Sequence, residues 1–138
     1  GFDPAPGWTR IVPEAEMAAL SDTGAGQAYV GALLDAGATA VFCYNDRVAI
    51  GAMLACRQAS LTVPTAVSLV GFDDIEAAQW VSPPLTTVRQ PKRKMGRLAM
   101  GMMLDLLADR EVTDHVLAPA LVTRESTTGV SCGLKVTG

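Results

Sequence analysis

Two apolar runs, each closed by polar residues, set the tightest limit on what this chain can fold into. Ala40-Val-Phe-Cys-Tyr44 ends at Asn45-Asp46, and Val67-Ser-Leu-Val70 ends at Gly71-Phe72-Asp73-Asp74. A continuous apolar run of this kind is the signature of a strand covered on both faces. Between the two runs lies a helical pattern over about 47–59, with Asp46 as its expected N-cap. Strand, helix and strand in alternation predict an α/β domain with a largely parallel sheet. Right-handed crossovers then set the carboxyl ends of the strands along one edge.

The flanking pattern agrees with that architecture. Ser21-Asp22-Thr23 precedes a helix over about 25–36, with Tyr29, Val30, Leu33 and Leu34 on one face and Gly37 as its C′ glycine. Glu76–Val81 reads as a short helical turn, Pro83-Pro84 breaks the chain, and Leu85–Val88 reads as a third, half-exposed strand. Pro91 stands before a helix of about 92–109 whose Met95, Leu98, Ala99, Met102, Met103, Leu106 and Leu107 follow helical spacing. Val116–Val122 reads as a fourth strand, residues 1–13 as an irregular lead-in, and residues from about 127 as a loose tail. The helix over 47–59 is apolar nearly all round. One stripe covers the sheet; the other needs either a partner subunit or the rest of a larger domain.

Composition narrows the classes of function. The chain has 138 residues, 49% of them apolar and 18% charged, which reads as one soluble globular domain. No apolar run approaches the roughly 18 residues that span a bilayer, and the first residues lack the pattern of a signal peptide. A net charge of −3 argues against nucleic-acid binding by this stretch itself. The charge is uneven, with three basic and nine acidic residues over 1–80 against eight and five over 81–138. The basic excess gathers in Arg89–Arg97, which reads as a solvated helix start without aromatic residues to stack a base. The three cysteines, Cys43, Cys56 and Cys132, show no CxxC spacing and suit a reducing cytoplasm. One histidine, His115, leaves no His-pair metal site, and no GxSxG turn supplies a nucleophile, so the chain reads as a non-enzyme without cofactor or metal. Gly24-x-Gly26 follows no strand and makes a poor phosphate loop.

The chemistry falls at the strand ends. Asn45 and Asp73 stand 28 residues apart, one full strand–helix–strand repeat, and ligands of open parallel sheets bind outside the carboxyl ends of the strands. Asn offers a donor and an acceptor and an ionised Asp accepts two hydrogen bonds, a pair suited to hydroxyls or ring nitrogens. Helix capping alone also accounts for an Asn or Asp at such a position.

Five segments in series resemble the lactose-repressor/galactose-repressor (LacI/GalR) family of bacterial transcription regulators. They are Ala40-Val-Phe-Cys-Tyr-Asn-Asp-Arg-Val-Ala-Ile-Gly51, Val63-Pro-Thr-Ala-Val-Ser-Leu-Val-Gly-Phe-Asp-Asp74, Pro84-Leu-Thr-Thr-Val-Arg-Gln-Pro91, the Gly96…Ala99 helix, and Leu121-Val-Thr-Arg-Glu-Ser-Thr127. The resemblance covers about residues 20–128 in the family's order and spacing. It implies a periplasmic-binding-protein-like (type I) effector domain: a C-terminal subdomain over about 1–90, a segment over about 91–122 returning to the N-terminal subdomain, and a tail over about 127–138. The helix-turn-helix head of the family has no counterpart in these residues, and the apolar face of the 92–109 helix would lack its usual sheet.

The resemblance further implies that Asn45 and Asp73 contact a small polar effector such as a sugar, with Gln90 near a third contact at the crossover. The family's ring-stacking position falls at Leu20 or Ser21, neither of them aromatic. Ile50, Met53, Leu54, Trp80 and Val81 would line a homodimer interface. The whole regulator would be cytoplasmic, free of the membrane, and would bind operator DNA through its separate head. A periplasmic sugar-binding protein feeding a transporter is the alternative, since it shares fold and site.

Overall fold

The computed structural model describes residues 19–129. The lead-in over 1–13, Cys132 and most of the expected tail lie outside the described residues. Eight elements follow in order: α1 (Asp22–Asp35), β1 (Ala40–Phe42), α2 (Asp46–Gln58), β2 (Ser68–Phe72), α3 (Ala77–Trp80), β3 (Thr86–Arg89), α4 (Lys92–Leu107) and β4 (Ala120–Val122). The strands form one sheet in the order β1-β2-β3-β4. β1 pairs with β2, and β2 with β3, in parallel; β4 runs antiparallel to β3, with Arg89 opposite Ala120.

Local chemistry explains each boundary near the site. Ser21 caps α1 by accepting the Gly24 amide at 3.1 Å. Gly37 closes it at φ +87°, with its own amide returned to Leu34. α2 starts at Asn45, whose side chain accepts the Val48 amide at 2.9 Å. Asn45, not Asp46, is therefore the cap. Both residue types cap well, so the sequence alone chooses between them poorly; Asp46 instead turns inward and is fully buried.

α1 and α2 pack through glycine. A Cβ at Gly26 would lie 2.0 Å from the Val48 carbonyl oxygen, and one at Gly51 would lie 2.0 Å from the Thr23 carbonyl oxygen. The two backbones thus touch where any side chain would hold them apart. Gly26, one of the two glycines that read poorly as a phosphate loop, serves helix packing instead. Below the helices, Val30, Cys43, Ala49, Ala52, Met53, Cys56, Val67, Leu69, Ala78 and Leu85 form the buried core.

Three strand expectations change. β1 is an edge strand covered on one face only, with Phe42 64% and Tyr44 79% exposed. β3 is not half-exposed: Thr86 and Thr87 are buried, because each hydroxyl finds a partner there. β4 is only three residues long. Pro119 has no amide to give, pairing starts at Ala120, and Val116 stands in solvent.

No residue of α4 is buried. Met95, Met100, Met103, Leu104, Leu106 and Leu107 are all exposed. Among the described residues no helix is long and apolar enough to cross a membrane.

Candidate functional site

The ends of β1 and β2 place Asn45 and Asp73 on one cleft. It holds about 230 Å³ and is lined by Asp22, Asn45, Asp46, Arg47, Asp73 and Ile75. Asn45 is already partly committed: its Oδ1 accepts from Val48 and its Nδ2 donates to Asp22 Oδ2 at 3.0 Å. One amide hydrogen and one lone pair stay free for a ligand. The capping role and a ligand role are therefore compatible in one side chain.

Asp73 follows β2 in a rarely used backbone state, φ +108°, and Asp74 follows it at φ +51°. Its amide donates to the Val88 carbonyl at 2.9 Å. Gln90 Nε2 donates to Asp73 Oδ1 at 2.7 Å, and Lys92 Nζ lies 3.3 Å from the same oxygen. Gln90 is thus joined to the site through Asp73. Its other side lines a second cleft of about 260 Å³ with Phe72, Pro91, Met95, His115, Leu117 and Pro119.

The expected interface residues divide. Ile50 and Val81 sit half-buried at the margin of the core, while Leu54 is 40% and Trp80 77% exposed. Met53 is 7% exposed and belongs to this chain's own core, because it lies on the stripe of α2 that faces the sheet.

Asp22, Arg47 and Lys92 are the residues that sequence reading passed over. Asp22 carries a signal, an acid in the first turn of a helix, but that pattern has an ordinary explanation in the helix dipole. Arg47 and Lys92 carry none. Asp74, beside the site, is held by Arg89 and Arg124. Burial pushes its carboxyl up, but hydrogen bonds and charge from Arg124 and Arg89 outweigh this and hold it below the usual carboxylate value. No group of three or more metal-ligating side chains occurs among the described residues.

The site carries donors, acceptors and both signs of charge around an open cleft at the ends of parallel strands. That arrangement is suited to small polar molecules. It holds no paired nucleophile and base.

Comparison with known proteins agrees with this class. Residues 6–127 match the periplasmic binding protein-like domain. The chain is 43% identical over 90 residues to the HTH-type transcriptional repressor PurR of Vibrio vulnificus, covering 64% of this chain and 27% of that protein. Among solved structures, a LacI family transcriptional regulator from Enterococcus faecium with bound ribose is 31% identical at a TM-score of 0.70, covering 78% of this chain and 40% of that one. The lac repressor dimer bound to operator and the anti-inducer ONPF is 34% identical at a TM-score of 0.69, covering 75% and 37%. The chain belongs to the periplasmic-binding-protein-like family and, within it, to the effector-binding domains of LacI/GalR transcription regulators. It spans less than a third of the length of the curated relatives it matches.

Proposed function

We propose that this chain is the effector-sensing and dimerising portion of a cytoplasmic transcription regulator that responds to a small polar ligand, in the first instance a sugar. The supporting observation is that Asn45 and Asp73, from the ends of two parallel strands, open onto one cleft beside Arg47 and Asp22. Asp73 accepts hydroxyl or ring N–H donors, Asn45 gives its free amide hydrogen, and Gln90 orients the Asp73 carboxylate. Effector bound there favours one closure state of the whole effector domain, and a homodimer passes the change to paired operator-binding heads. No cofactor enters this mechanism.

The regulator that contains this chain is the material for the test, with a panel of pentoses, hexoses and purine bases in calorimetry. Removing the charged acceptor with Asp73→Ala costs about 1.5–3 kcal/mol, ten- to a hundredfold in affinity for whichever probe binds. Equal affinity in wild type and variant would remove Asp73 from the site.

Ile50, Leu54, Trp80 and Val81 form the proposed dimer surface, with Met53 supporting it from the core. Trp80→Glu places a charge on that surface without touching the buried core. The expected outcome is a shift from dimer to monomer in light scattering, with the far-UV spectrum unchanged.

A further inference from the structure

The Asp73–Ile75 loop presents the proposed ligand carboxylate from two consecutive left-handed residues, φ +108° and +51°. Neither is glycine, so neighbours must hold the loop in this state. Three successive amides are captured. Asp73 donates to the Val88 carbonyl, Asp74 to Thr87 Oγ1 at 3.4 Å, and Ile75 to Asp46 Oδ2 at 2.8 Å. The Thr87 hydroxyl in turn donates to Asp46 Oδ1. Two of the three amides therefore end on one fully buried carboxylate, directly or through one hydroxyl.

The rest of the molecule makes room for that carboxylate. Asp46 opens α2, where the helix N-terminus favours negative charge. Gly71 lies below it, and a Cβ there would meet Asp46 Oδ1 at 2.2 Å. Leu85 closes the same space on the other side. A buried carboxylate needs full hydrogen bonding to be tolerated, and the loop amide and the Thr87 hydroxyl meet that need.

We infer that Asp46 and Thr87 are positioning residues of the effector site, holding the 73–75 loop in the backbone state that turns Asp73 into the cleft. The inference rests on Asp73 as a ligand contact, but its test needs no ligand. In the labelled chain, residues with positive φ give strong intraresidue amide-to-Hα cross-peaks, and hydrogen-bonded amides exchange slowly. Thr87→Val keeps side-chain volume and removes the hydroxyl. Thr87→Ser keeps the hydroxyl and trims a methyl group. Asp46→Asn replaces the acceptor facing Ile75 with an amide.

Thr87→Val is expected to lose the positive-φ signature at Asp73 and Asp74. Its Asp74 and Ile75 amides should exchange about tenfold faster or more, while core amides of β2 and α2 keep their rates relative to one another. Thr87→Ser restores both signals. A Thr87→Val chain that keeps the signature and the slow exchange overturns the inference. So does a Thr87→Ser chain that loses them as fully as Thr87→Val, since packing volume would then be the cause. If Asp46→Asn fails to fold, the two Thr87 variants decide alone. Loss of the loop signature alongside unchanged probe affinity in Asp73→Ala would remove the ligand reading and leave the positioning role standing.

Discussion

Asp74 shows how far one side chain reaches in this molecule. Its carboxylate takes Arg89 from the end of β3 and Arg124 from just beyond β4, and Arg124 also donates to the Leu85 carbonyl at 2.7 Å. The two guanidiniums hold the Asp74 carboxyl below its ordinary value despite burial. The unfolded chain then takes up the proton more readily than the folded one. Stability from this group is present in full above about pH 5 and is lost as pH falls through the folded value. Arg124→Met should cost about 3 kcal/mol at neutral pH and flatten the acid limb of urea-unfolding midpoints measured from about pH 6 to pH 2. Cys43 lies at the opposite extreme. Burial, then the charges of Cys56 and Asp46, push its thiol up to about 12, and burial also raises Cys56. Both should resist iodoacetamide at pH 8 in the folded chain and label fully in urea, as read by mass spectrometry.

Among the elements, the α1–α2 contact is the least forgiving. Gly26→Ala and Gly51→Ala each drive a methyl group into backbone rather than into a flexible side chain. Each should destabilise by about 3 kcal/mol or more in chemical unfolding, whereas Gly31→Ala, with open space around it, should not. Element existence was readable from pattern: α1, β1, α2, β2 and α4 all stand within a few residues of their expected spans, because apolar period and capping chemistry are local. What depended on distant partners was not. Thr86 and Thr87 read as exposed until Ser126, Thr127 and Asp46, about forty residues away, satisfy their polar atoms. Asp46 read as a cap for the same reason. That Asn45 and Asp73 would meet at one cleft was legible because each follows one of two neighbouring parallel strands. Lys92 and Arg47 were not, since one cation in a basic run and another in the first turn of a helix carry no distinguishing signal.

At the scale of the whole molecule, the striped helices and the bare sheet edge describe a unit made to be covered. Phe42, Tyr44 and the Met and Leu residues of α4 together expose large apolar area on this chain. Such surfaces associate or bind hydrophobic dyes when they meet water. The isolated chain should therefore self-associate in size exclusion with light scattering and raise the fluorescence of a hydrophobic dye. A longer chain that covers these faces should do neither beyond the proposed dimer. A dye-silent, monomeric isolated chain would mean that these faces are covered within the chain itself. The relatives' greater length gives the covering material a natural source.

The antiparallel pairing of Arg89 with Ala120 carries one more consequence. Everything from Gln90 to Pro119 departs and returns between two directly opposed residues, so the sheet registers no net displacement across thirty positions. To the other strands, that whole length is topologically equivalent to a hairpin tip. Excision of 90–119 and ligation through a two-residue Asn-Gly tip, a geometry such pairs accept readily, should leave a smaller protein with the same four-stranded order and the same Asp74 latch. Its amide spectrum should overlay that of the parent across β1, β2 and α2. The excised span would then be dispensable to the sheet, though the Asp73 carboxylate would lose Gln90 and Lys92 with it.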